Sequence, residues 1–235
     1  VKPRTKLTYC YEYPRPAVTV DCVVFGYRAG GLRLLLIQRG VEPFAGQWAL
    51  PGGFVRMEES LAEAARRELV EETGLNVSYL EQLLAFGAPD RDPRGRVISV
   101  AWYALVREEE HAPHGESDAA EAEWFPADQV PALAFDHGSI VDAARRRLRE
   151  RIRQAPIGFE LLPRRFTLSQ IQDLYESCLG RPLDKRNFRR KLLAMDLLTE
   201  TDRYEENVLH RPARLYQFDL ERYEAALKHG LHFDL

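Results

Sequence analysis

Between Gly53 and Leu75 the sequence reads GFVRMEESLAEAARRELVEETGL, and its spacing of glutamates and glycines constrains the chain more than any other feature. A helix from Ser60 to Thr73 places Glu68, Glu71 and Glu72 at i, i+3 and i+4, so their carboxylates project from one face. That much like charge is unfavourable unless a cation sits beside it. Hard divalent ions such as Mg²⁺ take carboxylate and carbonyl oxygens and keep several waters, which suits a phosphate-bearing substrate. Glutamate-rich helix faces are more commonly solvated surface, so the flanking residues matter. Ser60-x-x-Glu63 is a capping box that starts the helix. Leu61, Ala65 and Leu69 form an apolar stripe fit to lie on a sheet, Arg67 can pair with the acidic cluster, and Gly74 is a left-handed stop. Upstream, Trp48–Gly53 reads as a strand end running into a tight loop.

The pattern G-x5-E-x7-R-E-L-x-E-E-x-G-L is satisfied at every fixed position by Gly53, Glu59, Arg67, Glu68, Leu69, Glu71, Glu72, Gly74 and Leu75. It resembles the Nudix box of hydrolases that cleave a nucleoside diphosphate linked to another moiety. The resemblance implies an α/β/α sandwich around a mixed sheet. It also implies Mg²⁺ (or Mn²⁺) held by Glu68, Glu71, Glu72 and the Gly52 carbonyl. The catalytic set is then Glu59, Arg67, Glu68, Glu71 and Glu72, with Glu59 behind the ligands and Arg67 orienting them. The general base stays open between a box glutamate and a carboxylate such as Glu116 or Asp118 in the segment 108–118.

A length of 235 residues allows one large domain or two modest ones. Hydrophobic content of 45% and charged content of 29% are ordinary for a globular protein, and a net charge of −3 confines any nucleic-acid surface to a local patch. Cys10, Cys22 and Cys178 are scattered and lack CxxC spacing, which argues against a disulfide frame or zinc site. His111 and His114 form an H-x-x-H pair that we read as loop rather than metal site. No apolar run approaches the roughly 20 residues that span a bilayer, and the N-terminus lacks a signal-peptide core. The expectation is a cytoplasmic protein with no membrane partner.

Residues 17–26 and 33–38 read as a hairpin, 77–86 and 97–106 as further strands, and 138–153 as a helix. Pro156-Ile157-Gly158 and Leu162-Pro163 break the pattern and suggest a linker, dividing the chain into 1–155 and 156–235. Beyond it, Leu168, Ile171, Leu174, Tyr175 and Cys178 keep helical spacing, Gly180–Leu183 is a turn, and 184–195 is a second helix. Strands at 197–200 and 214–218 complete the order of a winged helix-turn-helix. From Arg181 to Lys191 the basic residues Arg181, Lys185, Arg186, Arg189, Arg190 and Lys191 face Asp184 alone, whereas 156–235 as a whole has thirteen Lys/Arg and thirteen Asp/Glu. The charge is concentrated on one helix, with Phe188, Leu192 and Leu193 expected on its buried side. A basic helix of this kind suits a DNA major groove; a solvated face, a subunit contact and an RNA surface are the other readings.

The stretch FTLSQIQDLYESCLGRPLDKRNFRRKLL resembles the C-terminal winged helix of Nudix-related transcriptional regulators of the NrtR type. With the N-terminal domain included, the resemblance covers nearly the full chain. It implies a homodimer on double-stranded DNA carrying a palindromic operator, with a Nudix domain sensing ADP-ribose or a related metabolite. Lys185, Arg186, Asn187, Arg189 and Arg190 would then read the DNA, with Arg211 and Arg214 as wing contacts to phosphate. Arg91, Arg94 and Arg96 lie in the loop RDPRGR, where they either clamp a diphosphate or simply decorate a turn. Similarity of that loop to ADP-ribose pyrophosphatases favours an ADP-ribose-like ligand.

Three readings follow: an enzyme with an accessory winged helix, a non-catalytic sensor, and a protein that does both. Many regulators of this type have damaged boxes, whereas this box is intact. The reading adopted is a Nudix-type transcriptional regulator that retains Mg²⁺-dependent hydrolysis. Its alternative is an ADP-ribose pyrophosphatase whose C-terminal domain does not bind DNA specifically.

Overall fold

A computed structural model describes residues 11–28, 31–108, 119–206, 208–209, 211–229 and 233. Cys10, His111, His114, Glu116 and Asp118 lie outside the described residues.

Strands β1 (Ala17–Arg28) and β2 (Gly31–Arg39) form the expected hairpin, with Val24 opposite Leu35. Two strands too short to show a period, β3 (Trp48–Ala49) and β4 (Gly52–Phe54), pair with β2 and with the first half of β1. After helix α1 (Leu61–Thr73) come β5 (Tyr79–Phe86), β6 (Val97–Val106) and β7 (Ala119–Pro126). Strand β6 runs parallel to β1 from Ala17–Val97 to Gly26–Val106, while β5 and β7 are antiparallel to β6 and β2. The sheet is therefore mixed, as expected.

Residues 19–27 of β1 are all buried, so both faces of this sheet are covered. The period-two alternation decides what each face meets. Val20, Cys22 and Val24 pack under Ala64, Ala65 and Leu69 of α1. Val23 and Phe25 pack under Ile140, Ala144 and Leu148 of α2 (His137–Gln154). The sandwich is thus α1, sheet, α2, with the glutamate helix on one side.

The stretch expected as a linker is packed. Pro156–Glu160 is a 3₁₀ helix, and Ile157, Phe159, Leu161 and Leu162 are buried in the same core as α2. Proline and glycine marked a change of direction there, but the apolar residues between them seat the C-terminal helices on the Nudix-box domain. Helices α3 (Leu168–Leu179) and α4 (Lys185–Ala194) follow, then strands β8 (Leu198–Tyr204) and β9 (Arg214–Phe218) and helix α5 (Leu220–Lys228). Thr167 and Gln170 form a capping box for α3, Gly180 ends it in the left-handed region, and Asp184 caps α4. Phe188 and Leu192 of α4 are buried as expected, but Leu193 is 45% exposed and faces away from the core. The Tyr27 hydroxyl donates to the Gln170 carbonyl at 3.4 Å, a further tie between β1 and α3.

Candidate active site and DNA-binding surface

The acidic helix α1 lines one wall of a cavity of about 510 Å³. Ser60 and Glu63 make both bonds of the capping box, and Gly74 closes the helix at φ 70°. Within this frame Arg67 is the hub. Its guanidinium donates to both Glu59 oxygens at 2.8 and 2.6 Å, to Glu68 Oε1 at 2.6 Å and to Glu71 Oε2 at 3.0 Å. This bonding pulls the Glu59 carboxyl down to about 2. Glu71, half exposed, also accepts from Arg56 at 3.1 Å.

Glu72 differs. It is 8% exposed, and among the described residues its side chain takes one hydrogen bond, from the Gly52 N–H to Oε2 at 2.7 Å. Burial pushes its carboxyl up to about 8, with Glu68 and Asp21 adding to the shift. Burial raises Glu68 as well, against the pull of Arg67. A buried carboxylate without a bonded cation is costly, and that excess of negative charge fits a hard divalent ion. Among the described residues no three His, Cys, Asp or Glu side chains converge into a closed cage. A Mg²⁺-type site does not need one, since one or two carboxylates complete the shell with waters and substrate phosphates. Gly52 shows its N–H towards Glu72, the contact on which its place at the site rests. A Cβ on Gly53 would stand 2.3 Å from Glu68 Oε1, and one on Gly52 would stand 2.2 Å from the Val20 carbonyl, so both positions require glycine.

Sequence reasoning missed the floor of the cavity. Asp21 on β1, 6% exposed, accepts from Ser99 Oγ at 2.5 Å and from Arg91 Nη2 at 3.3 Å. Arg91 also donates to both Asp136 oxygens at 2.9 and 2.7 Å. His137 Nδ1 accepts from the Leu50 N–H at 2.9 Å, so the ring proton belongs on Nε2, 3.5 Å from Asp21 Oδ1. Burial lowers the His137 pKa below the ordinary 6.5. Folding therefore favours the neutral ring: the stabilisation is complete above pH 6.5 and is lost as pH falls towards the lowered folded value. Urea midpoints measured below pH 6.5 are expected to fall less steeply in His137→Gln than in the unmodified protein.

The three loop arginines occupy different places. Arg91 is buried and committed to Asp21 and Asp136, on the cavity wall. Arg94 is gripped by Asp92 at 2.7 Å and lies between Phe54 and Phe135, 5.0 and 5.5 Å from their ring centres. Arg39 also stacks on Phe135, 4.9 Å from the ring centre. Arg96 donates to the Gly87 and Ala88 carbonyls and is not among the cavity-lining residues. Phe135 holds φ 53°, uncommon for an aromatic residue and a backbone strain placed at this site.

On α4, Lys185, Arg186, Asn187 and Arg190 are exposed, and Arg190 Nη2 donates to Asn187 Oδ1 at 2.7 Å. Arg189 is half-buried and bonded to Ser169 Oγ at 2.9 Å, which ties it to the start of α3. Arg211 is exposed in the segment between β8 and β9. Arg214 pairs with Glu200 and donates to the Tyr204 hydroxyl at 3.2 Å.

Comparison with known proteins assigns both halves. The NUDIX domain family matches residues 15–144, and the NrtR DNA-binding winged helix domain matches residues 158–218. NtrR of Acinetobacter baylyi, an ADPR responsive transcriptional repressor, is 38% identical over 223 residues, covering 91% of this chain and 86% of the relative. This chain belongs to the NrtR family of Nudix-related regulators. Shewanella oneidensis NrtR complexed with a 27mer DNA superposes with a TM-score of 0.76 at 34% identity, covering 88% of this chain and 95% of that one. The ADP-ribose pyrophosphatase of Methanocaldococcus jannaschii is 43% identical over 129 residues, which are 55% of this chain and 73% of the enzyme. The cavity with the intact box and the exposed α4 therefore belong to the Nudix domain and the winged helix of one regulator. Among the described residues no helix is long and apolar enough to cross a membrane.

Proposed function

We propose that this chain is an ADP-ribose-responsive transcriptional regulator whose Nudix domain also hydrolyses its effector. The observation that carries hydrolysis is Glu72, nearly buried beside Glu68 with no bonded cation, in a cavity that also presents Arg39 and Arg94. Glu68 and Glu72, with Gly52 at the strand end, would hold Mg²⁺ or Mn²⁺, and Glu71 would lend further charge. The ion, when bound, polarises phosphoryl oxygens and lowers the pKa of water. Arg67 holds Glu59, Glu68 and Glu71 in place, so the acidic face is set before substrate arrives. Arg94 and Arg39 bring positive charge to the mouth for a diphosphate, with Phe54 and Phe135 as apolar walls. Arg91 supports this wall through Asp136 rather than meeting the ligand. Water attacks one phosphorus of ADP-ribose, the diphosphate bridge breaks, and AMP and ribose 5-phosphate leave.

Lys185, Arg186, Asn187 and Arg190 are the exposed reading positions, with Arg211 at the wing, and a homodimer would place two such helices on half-sites about 34–36 Å apart or a multiple of it. Arg189 and Arg214 are bonded within the domain and would reach DNA only by exchanging those partners. We place the division of labour near residue 155, in a cytoplasmic protein. Incubation with ADP-ribose and Mg²⁺, with detection of AMP and thermal-shift measurement of binding, tests the Nudix half. Turnover supports hydrolysis. Binding without turnover leaves a sensor, and the absence of both overturns the ligand assignment.

A further inference from the structure

The outer face of α2 carries charge that the Nudix cavity does not use. Its exposed stripe runs Asp142, Arg146, Arg149, Arg153, residues spaced to share one helix face. The two acids of this helix are already engaged, Asp142 with Arg145 at 3.4 Å and Glu150 with Arg147 at 4.0 Å. Arg147 and Arg151 turn onto Glu81 of β5 at 3.3 and 3.2 Å. Arg146, Arg149 and Arg153 are left exposed, and among the described residues they make no hydrogen bond or ion pair. Like charges at this spacing repel along a helix, so an anionic partner would relieve them.

The stripe also has a telling neighbour. A Cβ on Gly180 would lie 3.6 Å from Arg149 Nη2, so this guanidinium sits beside the residue that closes α3. Gly180 opens the short turn through Arg181 that delivers Lys185 and Arg186 of α4. The arginine face of α2 therefore meets, at Arg149, the turn that leads into the basic helix of the winged domain.

We propose that this face of α2 contacts the phosphate backbone of the duplex held by α4, extending the DNA-binding surface onto the Nudix domain. The proposal rests on the reading of the winged helix as a DNA-binding unit. The contact is electrostatic and reads no sequence, as arginine–phosphate contacts do not. It would also join two sites through one helix, because Asp136 and His137 at the start of α2 line or brace the ligand cavity.

The test is fluorescence anisotropy with a labelled random-sequence duplex across a salt series. The variant combines Arg146→Gln, Arg149→Gln and Arg153→Gln, and Arg186→Gln runs beside it. The expected result is binding weaker on the order of 10-fold or more at low salt, and a log–log salt slope shallower by about 2–3, since each lost phosphate contact removes ~0.9. An unchanged slope, with Arg186→Gln still weakening binding, overturns the proposal and leaves the winged-helix reading standing. No loss in either variant overturns both. A loss accompanied by a change in sedimentation also overturns it, because the face would then be a contact between copies of the chain.

Discussion

Glu72→Gln is expected to lower ADP-ribose turnover by about 10²-fold or more, since removing one carboxylate from a divalent site forfeits several kcal/mol of transition-state charge stabilisation. Glutamine keeps the size of the side chain and an oxygen that can accept the Gly52 N–H, so the wall of the cavity should stand. A second readout separates lost chemistry from lost folding. In the metal-free protein the Glu72 carboxyl titrates near 8 instead of 4.5. Its folded pKa is raised, so its contribution to stability is complete below about pH 4.5 and is lost as pH rises through 8. The glutamine variant cannot ionise, and is expected to be more stable than the unmodified protein at pH 8–9 without metal. Adding Mg²⁺ should reverse that order, because the ion stabilises only the protein that binds it. Melting curves with and without Mg²⁺ check this. Equal turnover in the two proteins would remove Glu72 from the metal site.

The second large effect belongs to α4. Asn187 and Arg190 are exposed one turn apart and bonded to each other at 2.7 Å. The arrangement presents an amide and a guanidinium together to a groove, side chains that pair bidentately with adenine and guanine. Asn187→Ala is expected to cost about 1–3 kcal/mol on a selected operator and to relax preference at a single base pair. Arg190→Ala should cost a similar amount, and the double variant less than the sum, because each single change also frees the partner. Competition between the selected operator and its point-substituted forms measures this. Uniform weakening across every sequence would mean that the pair contacts phosphate only.

The extent to which the sequence reveals this protein differs between its parts. Helix α1 is legible almost to the residue, because Ser60, Glu63 and Gly74 each act within a turn of their own position. Helices α3 and α4 are equally local, each with a helical period and a cap, and β6 is a plain run of β-branched and aromatic residues. By contrast β3 and β4 span two and three residues, too short to carry a pattern, and exist because β1 and β2 offer them partners. Strand β7 reads AAEAEWFP, with few of the residues that favour strands, and is fixed by pairing with β2. Helix α5 had a readable start in Asp219, which caps it, but its exposed face gives no deep apolar stripe.

The site divides the same way. The glutamates and Arg67 lie within one helix and its lead-in, so spacing was enough to bring them together. Arg91 finds Asp136 and Asp21 across 45 and 70 positions, and nothing in RDPRGR distinguishes it from Arg94 or Arg96. Charge made all three candidates for a diphosphate; burial separates them. Asp21 did leave a trace, as a lone acid within the apolar run AVTVDCVVFG. A carboxylate on the inward face of a buried strand requires partners, and that argument identifies it without coordinates. His137 and Phe135 could be placed at the cavity only through the tertiary fold.

A regulator of this kind is expected to couple the Nudix cavity to the winged helix within one chain. The most direct measurement is the affinity of the full chain for an operator selected from a random library, titrated with ADP-ribose in the Glu72→Gln background to prevent turnover. The expected result is weaker operator binding as ADP-ribose saturates, with the reciprocal loss of ADP-ribose affinity when DNA is present. Operator binding that stays the same at saturating ADP-ribose, with occupancy of the cavity shown by thermal shift, would contradict it.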